Sequence, residues 1–101
     1  NCGSVGKLYL ASLPDAQLEN YLASPLAALT DYTITDPNDL RTEVLQARIS
    51  GVAYNYKEHT EQWCGISASI RARDGRFIAY LNITLPTQTT SREQLISLTP
   101  E

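Results

Sequence analysis

The chain has 101 residues, 43% of them hydrophobic, and a formal net charge of −3, which suits a single small domain over residues 1–101 with a modest core. Its eight Lys and Arg are scattered from Lys7 to Arg92, so they build no basic stripe, and a nucleic-acid surface on this segment is excluded. No apolar run approaches the ~20 residues of a membrane span, and the first residues lack the charged-then-apolar pattern of a signal peptide.

Two cysteines, Cys2 and Cys64, make no disulfide framework and could pair only if the fold brings them together; reduced thiols in a cytoplasmic protein are expected. The absence of methionine, even at position 1, predicts a piece of something longer.

Gly3-Ser4 reads as a helix start, with Val5, Leu8, Tyr9 and Ser12–Leu13 at helical spacing. Pro14-Asp15 breaks and restarts the chain, since proline suits a first helical turn and aspartate its positive end. Leu18, Tyr21 and Leu22 give a short amphipathic helix ended by Ser24-Pro25. Residues 26–34 connect, with some extended structure expected at Tyr32–Ile34.

The strongest helix signal is Asp36–Ser50. Asp36 caps, Pro37 takes the first helical position, and Gly51 follows at the usual left-handed stop. Leu40, Val44 and Ala47 form its stripe, with Leu45 and Ile49 beside it. Val52–Tyr56 alternates as a strand, placing Val52, Tyr54 and Tyr56 on one face and Ala53 and Asn55 on the other. Thr90-x-x-Glu93 reads as a capping box opening a last helix that carries Leu95, Ile96 and Leu98.

Between them lies a hairpin, Cys64–Pro86, turning at Asp74-Gly75. Asp-Gly between alternating runs predicts a two-residue type I′ turn, in which Arg73 pairs with Arg76. Ser69 then opposes Tyr80, Ser67 opposes Asn82 and Gly65 opposes Thr84, all on one face. Ile66, Ala68, Ile70, Phe77, Ala79, Leu81 and Ile83 take the other, as an ordinary core face. The first face carries Ser, Asn, Thr and Gly rather than the Lys and Glu that usually cover exposed strands. It is either a wetted surface or the floor of a polar pocket, and short hydroxyls and an amide suit a pocket for a small polar ligand. Helices followed by an antiparallel sheet of at least three strands, with the helices on the apolar face, give the class α+β, loosely α/β.

Catalytic signals are weak. His59, the sole histidine, stands in KEHTEQ without a second ligand at metal spacing, so a solvated loop histidine is the plainer reading. There is no G-x-S-x-G elbow, and Cys64 alternates with Ile66 and Ala68, as a buried, inert thiol would. No catalytic residue, metal or cofactor is expected. Gly3-Ser4-Val5-Gly6-Lys7 lacks phosphate-loop spacing, yet the N–H groups at this helix start suit a carboxylate as well as they suit a plain cap.

Taken together, GKLYLASLP, then ITDPNDLRTEVLQARISGVAYNYKEH, then RDGRFIAYLNITLP resemble the effector-binding domain of IclR-family transcriptional regulators, without gaps from Gly6 to Pro86. The resemblance implies a GAF-like, profilin-like domain of a bacterial cytoplasmic regulator, repressor or activator. Such a domain binds a small metabolite, often a carboxylic acid, and alters how a winged helix-turn-helix engages DNA. It also implies a homodimer or tetramer, no membrane, and DNA contact only through a domain outside this chain, whose effector domain would begin before Asn1.

Carried over residue by residue, the effector contacts fall on Ser4 and Val5 (backbone amides at the helix start), Asn55 (an acid in the family), Gly65 (a cysteine in the family), and Asn82 and Thr84 (paired serines in the family); Ser67 joins them from the hairpin register. The lost acid and thiol point to a ligand bulkier than glyoxylate or pyruvate, hydroxylated or aromatic. Two other readings stay open. One is an oligomerisation module with a decayed pocket, for which Gly65 and Asn55 would be symptoms; the other is a small hydrolase or isomerase using His59 and a serine.

Overall fold

A computed structural model describes residues 3–98. Three helices come first: α1 (Ser4–Ser12), α2 (Asp15–Leu22) and α3 (Pro37–Ser50). Three antiparallel strands follow in the order β1-β2-β3, namely β1 (Val52–Tyr56), β2 (Trp63–Arg71) and β3 (Phe77–Pro86), and then α4 (Arg92–Ser97). This is the α+β class expected.

The local chemistry of α3 explains its length. The Asp36 carboxylate accepts from the Asn38 N–H at 2.8 Å, Pro37 opens the helix, and Gly51 closes it at φ 74, a left-handed conformation that glycine adopts without steric cost. Leu40, Val44 and Ala47 are its buried stripe. Leu40 and Val44 pack with Leu10, Leu18 and Leu22, and each such side chain contributes about 1.5–3 kcal/mol when fully buried. The Arg48 guanidinium grips the corner between α1 and α2, donating to the Ala11 and Leu13 carbonyls and to Asp15.

Leu45 and Ile49, expected beside the stripe, face solvent instead, Ile49 at 89% exposure, because α3 is covered on one side only. Tyr9 is likewise exposed, and Lys7 takes a place on the buried face of α1. Residues 32–34 form no strand; the Thr33 hydroxyl holds them in a turn by accepting from the Leu29 and Thr30 N–H groups. The last helix is capped one residue later than expected: Ser91 and Gln94 make the reciprocal pair of bonds, which sets Leu95 inward at 0% exposure.

Ser69 opposes Tyr80, Ser67 opposes Asn82 and Gly65 opposes Thr84, as expected, but the turn that produces this register differs. Gly75 is left-handed at φ 88, whereas among the described non-glycine residues only Lys57 has positive φ. Asp74 therefore does not adopt a type I′ geometry. The Gly75 N–H donates to the Ala72 carbonyl and the Ala72 N–H to Arg76, giving a three-residue loop that ends in left-handed glycine. Ile78 is an extra residue on β3, bulging between the Ile70–Ala79 and Arg71–Phe77 pairs. Loop and bulge offset each other, so the register beyond them is unchanged. Phe77 is displaced to the other face, where its ring lies 4.7 Å from that of Tyr80.

Helices cover both faces of the sheet rather than the apolar one alone. Ser4 of α1 bonds Ser67 of β2, and Leu8 and Ala47 pack on Ala53, so α1 and α3 lie on the polar face. On the opposite face Leu95 of α4 packs with Cys64 and Ile66. That face is only partly core: Ile70, Leu81 and Ile83 are 43%, 56% and 45% exposed. No helix among the described residues is long and apolar enough to cross a membrane.

Candidate functional site

Where α1 meets the sheet, small side chains leave a gap. Gly65 of β2 is buried, and a Cβ built there would stand 3.2 Å from the Ile83 carbonyl oxygen, 3.6 Å from Asn82 Oδ1 and 3.7 Å from Ser4 Oγ. Above it opens a cleft of about 360 Å³, lined by Ser4, Val5, Asn55, Gly65, Asn82 and Thr84 together with Gly3, Gly6, His59, Thr60, Trp63 and Cys64. Six of the seven residues expected from the sequence thus come together. The seventh, Ser67, lies beneath the floor at 0% exposure.

Ser67 organises that floor. Its hydroxyl stands 2.6 Å from Ser4 Oγ and donates to Asn82 Oδ1 at 2.7 Å. Ser4 Oγ also donates to Asn82 Oδ1, at 3.3 Å, so both hydroxyls meet on that amide oxygen. Asn82 Nδ2 in turn donates to Thr84 Oγ1 at 3.1 Å. The chain of bonds runs Ser4 to Ser67 to Asn82 to Thr84, and it leaves the Thr84 hydroxyl proton and the second Asn82 amide hydrogen facing outward. Asn55 repeats the pattern: its Oδ1 accepts the Glu58 N–H at 3.0 Å, which leaves its amide nitrogen to donate.

The helix end adds to this. Gly3 caps α1 at φ 92 without a side-chain bond, and the first intrahelical bond runs from the Lys7 N–H to the Gly3 carbonyl. The N–H groups of Ser4, Val5 and Gly6 precede it and have no intrahelical acceptor. Among the described residues that line the cleft there is no Asp, Glu, Lys or Arg. The cleft is uncharged and donor-rich, suited to an oxygen-bearing anion.

His59, Thr60 and Trp63 were not anticipated. His59 and Thr60 belong to the β1–β2 loop and Trp63 opens β2, and the available signal was the pairing of Asn55 with Gly65: when two site residues face each other across adjacent strands, the connection joining those strands hangs over the same end of the sheet. Cys64 presents its side chain to the opposite face, where its thiol donates to the Leu85 carbonyl and burial pushes its pKa up. This is the inert thiol expected; the question of its pairing with Cys2 lies outside the described residues. His59 is exposed, and among the described residues no three His, Cys, Asp or Glu side chains gather as metal ligands would.

Behind the cleft lies a buried ion cluster. Lys7 Nζ, 1% exposed, donates to Glu58 Oε2 at 2.9 Å, to Glu43 Oε1 at 3.1 Å and to the Tyr54 carbonyl at 2.6 Å. Burial pushes the Glu58 carboxyl above its usual range against the pull of Lys7, and the nearby Glu43 charge adds to the rise.

The family model for the bacterial transcriptional regulator IclR C-terminal region matches residues 1–101. The chain is 39% identical over 87 residues to the HTH-type transcriptional regulator Rv1719 of Mycobacterium tuberculosis, covering 86% of this chain and 33% of that protein. It is 34% identical over 94 residues to the Pca operon regulatory protein of Acinetobacter baylyi, covering 92% and 34%. It therefore spans about a third of the length of these relatives. Among solved structures, a transcriptional regulator of Rhodococcus sp. RHA1 aligns with a TM-score of 0.82 at 32% identity, over 97% of this chain and 40% of that one. A double mutant of the Acinetobacter PobR inducer-binding domain in complex with 3-hydroxybenzoic acid aligns at 0.79 with 26% identity, over 92% and 54%.

Proposed function

Because the chain belongs to the IclR family of bacterial transcriptional regulators, we propose that residues 1–101 form most of an effector-binding domain and that the α1–hairpin cleft holds the effector, a small organic acid. The observation that carries this reading is the convergence of donors on an uncharged cleft. First-turn N–H groups at Ser4 and Val5 receive a carboxylate, and the amides of Asn55 and Asn82 and the hydroxyl of Thr84 receive oxygens at the other end. Ser67 acts from below, fixing Ser4 and Asn82. The domain's work is sensing rather than catalysis, carried out in the cytoplasm within a homodimer or tetramer. Coupling to an operator runs through a winged helix-turn-helix elsewhere in the full protein, a reading supported by the HTH designation of the mycobacterial relative.

The effector is an aromatic or similarly bulky acid. Supporting this are the 3-hydroxybenzoic acid in the PobR inducer-binding domain, the cleft volume of about 360 Å³, and Gly65, whose lack of a side chain leaves the space beside Ser4 and Asn82 open. Thermal-shift and calorimetric titration of the intact chain with benzoate, 3-hydroxybenzoate, pyruvate and glyoxylate tests it. A ligand that binds only the folded state at 100 times its Kd adds about 2.7 kcal/mol, which in a domain this size raises the Tm by about 10–20 °C. The aromatic acids are expected to do so and the two- and three-carbon oxo acids are not. Tight binding of an oxo acid alone overturns the size argument.

A further inference from the structure

Lys7 is not part of the cleft, yet both walls of the cleft hang on it. We propose that Lys7 is a positioning residue: its buried ammonium, held by Glu58, sets the spacing between the first turn of α1 and the β1–β2 loop, and so the width of the effector cleft. This rests on the reading of that cleft as the effector site. An ammonium has three hydrogens to donate, and all of them are used, on acceptors from three different elements: Glu43 of α3, the Tyr54 carbonyl of β1 and Glu58 of the loop.

On the α1 side, Lys7 follows Gly6 and lies within a turn of Ser4, both of which line the cleft. On the loop side, Glu58 immediately precedes His59 and Thr60, which line it from across.

The first half of the loop is fastened at Glu58, and its far end by Thr87, which donates to the Glu61 and Gln62 carbonyls. The Glu58 N–H donates to Asn55 Oδ1, its carbonyl accepts from Thr33 Oγ1, and its carboxylate reaches Lys7 and, at 3.4 Å, the Tyr56 N–H. Beside it Lys57 is held at φ 62, a left-handed conformation rare for a side chain of this kind, with its carbonyl accepting from Thr30 Oγ1 at 2.6 Å. Two carboxylates share one ammonium, and Glu58 Oε1 is buried with no partner among the described residues. Removing the ammonium takes away the donor that ties Glu58, 7% exposed, to α1 and leaves its carboxylate without a counter-charge, so His59 and Thr60 lose their tie to the helix.

The test is amide hydrogen exchange on the intact chain, comparing wild type with Lys7→Met, Glu58→Gln and Glu58→Asp. Gln keeps the length of the side chain and an acceptor oxygen; Asp keeps the charge and loses a methylene of reach. A positioning role predicts that exchange at the Tyr56 and Glu58 amides, which are bonded to Glu58 Oε2 and Asn55 Oδ1, rises by about tenfold or more in Lys7→Met, while the β2–β3 ladder stays protected. It also predicts that Glu58→Asp loosens the loop more than Glu58→Gln does, a ranking that a purely electrostatic role reverses. If Lys7→Met unfolds outright, raising exchange in the ladder as well, the Glu58 ranking decides. Unchanged loop exchange in Lys7→Met, or Glu58→Gln proving the worse of the two, overturns the proposal. No ligand enters this measurement, so failure of 3-hydroxybenzoate to bind wild type counts against the effector reading alone.

Discussion

The two faces of the sheet invert the usual association of polar with wet and apolar with dry. On the α1 face Ser67 is 0% exposed, and on the opposite face Leu81 is 56% exposed. Both come from the same hairpin, one residue apart in register: Ser67 opposes Asn82, and Ala68 opposes Leu81. Ser67 can be buried because its hydroxyl has partners on both sides, Ser4 and Asn82, so the cost of desolvating it is recovered by hydrogen bonds. Leu81 is exposed because α4 is six residues long and packs over Cys64 and Ile66, among Tyr54, Tyr56 and Leu85, away from Leu81. Burial follows from which helix lies overhead, and hydrophobicity alone does not reveal that.

The comparison can be broken most severely at its single anchor on the apolar face. Leu95→Ala removes the one fully buried side chain of α4 and is expected to cost about 2–5 kcal/mol in urea unfolding. Next is the polar floor: Ser67→Leu forces bulk beneath Ser4 and removes the shorter of the two hydroxyl bonds to Asn82 Oδ1, at about 1–3 kcal/mol. Leu81→Ser on the other face is expected within about 0.5 kcal/mol of wild type. Equal losses from these two substitutions would erase the distinction between the faces.

Much of this was legible before any coordinates. The Asp36 cap, the Gly51 stop and the alternation of Val52–Tyr56 are local chemistry and read directly. The hairpin register was also legible, but it rested on two features that offset each other. The turn is a residue longer than Asp-Gly suggested, and the Ile78 bulge restores the pairing. Only Phe77, between loop and bulge, was assigned to the wrong face. Lys7 was not legible, since its partners lie 36, 47 and 51 residues away and a lysine in an amphipathic helix ordinarily marks the solvent side. His59, Thr60 and Trp63 were missed for a related reason: their place over the cleft comes from a chain reversal, which leaves no periodicity.

Smaller effects sharpen the same contrast. Gly65→Cys sets a Cβ against the Ile83 carbonyl and fills space beside Ser4 and Asn82; calorimetry is expected to show affinity for an aromatic acid falling about tenfold, a loss of about 1.4 kcal/mol, while Leu81→Ser leaves it unchanged. The smallest effect is on pH dependence. The folded-state pKa of Glu58 lies above its ordinary 4.5, chiefly through burial, so the folded protein holds this proton more tightly than the unfolded chain does. Its contribution to stability therefore rises as pH falls through the window from the folded value to 4.5, and is lost as pH rises back through that window. Urea midpoints across that range should slope less in Glu58→Gln than in wild type; identical slopes would mean that Glu58 titrates as it does in the unfolded chain.

Backbone amide chemical-shift mapping with 3-hydroxybenzoate shows directly where a ligand lands. The expected result is saturable shifts at Ser4, Val5 and Gly6 of α1 and at Asn55 and Gly65 beneath it, with the amides of α4 at Arg92–Ile96 unmoved. Shifts centred on α4 and the exposed apolar face, with the first turn of α1 silent, would contradict it.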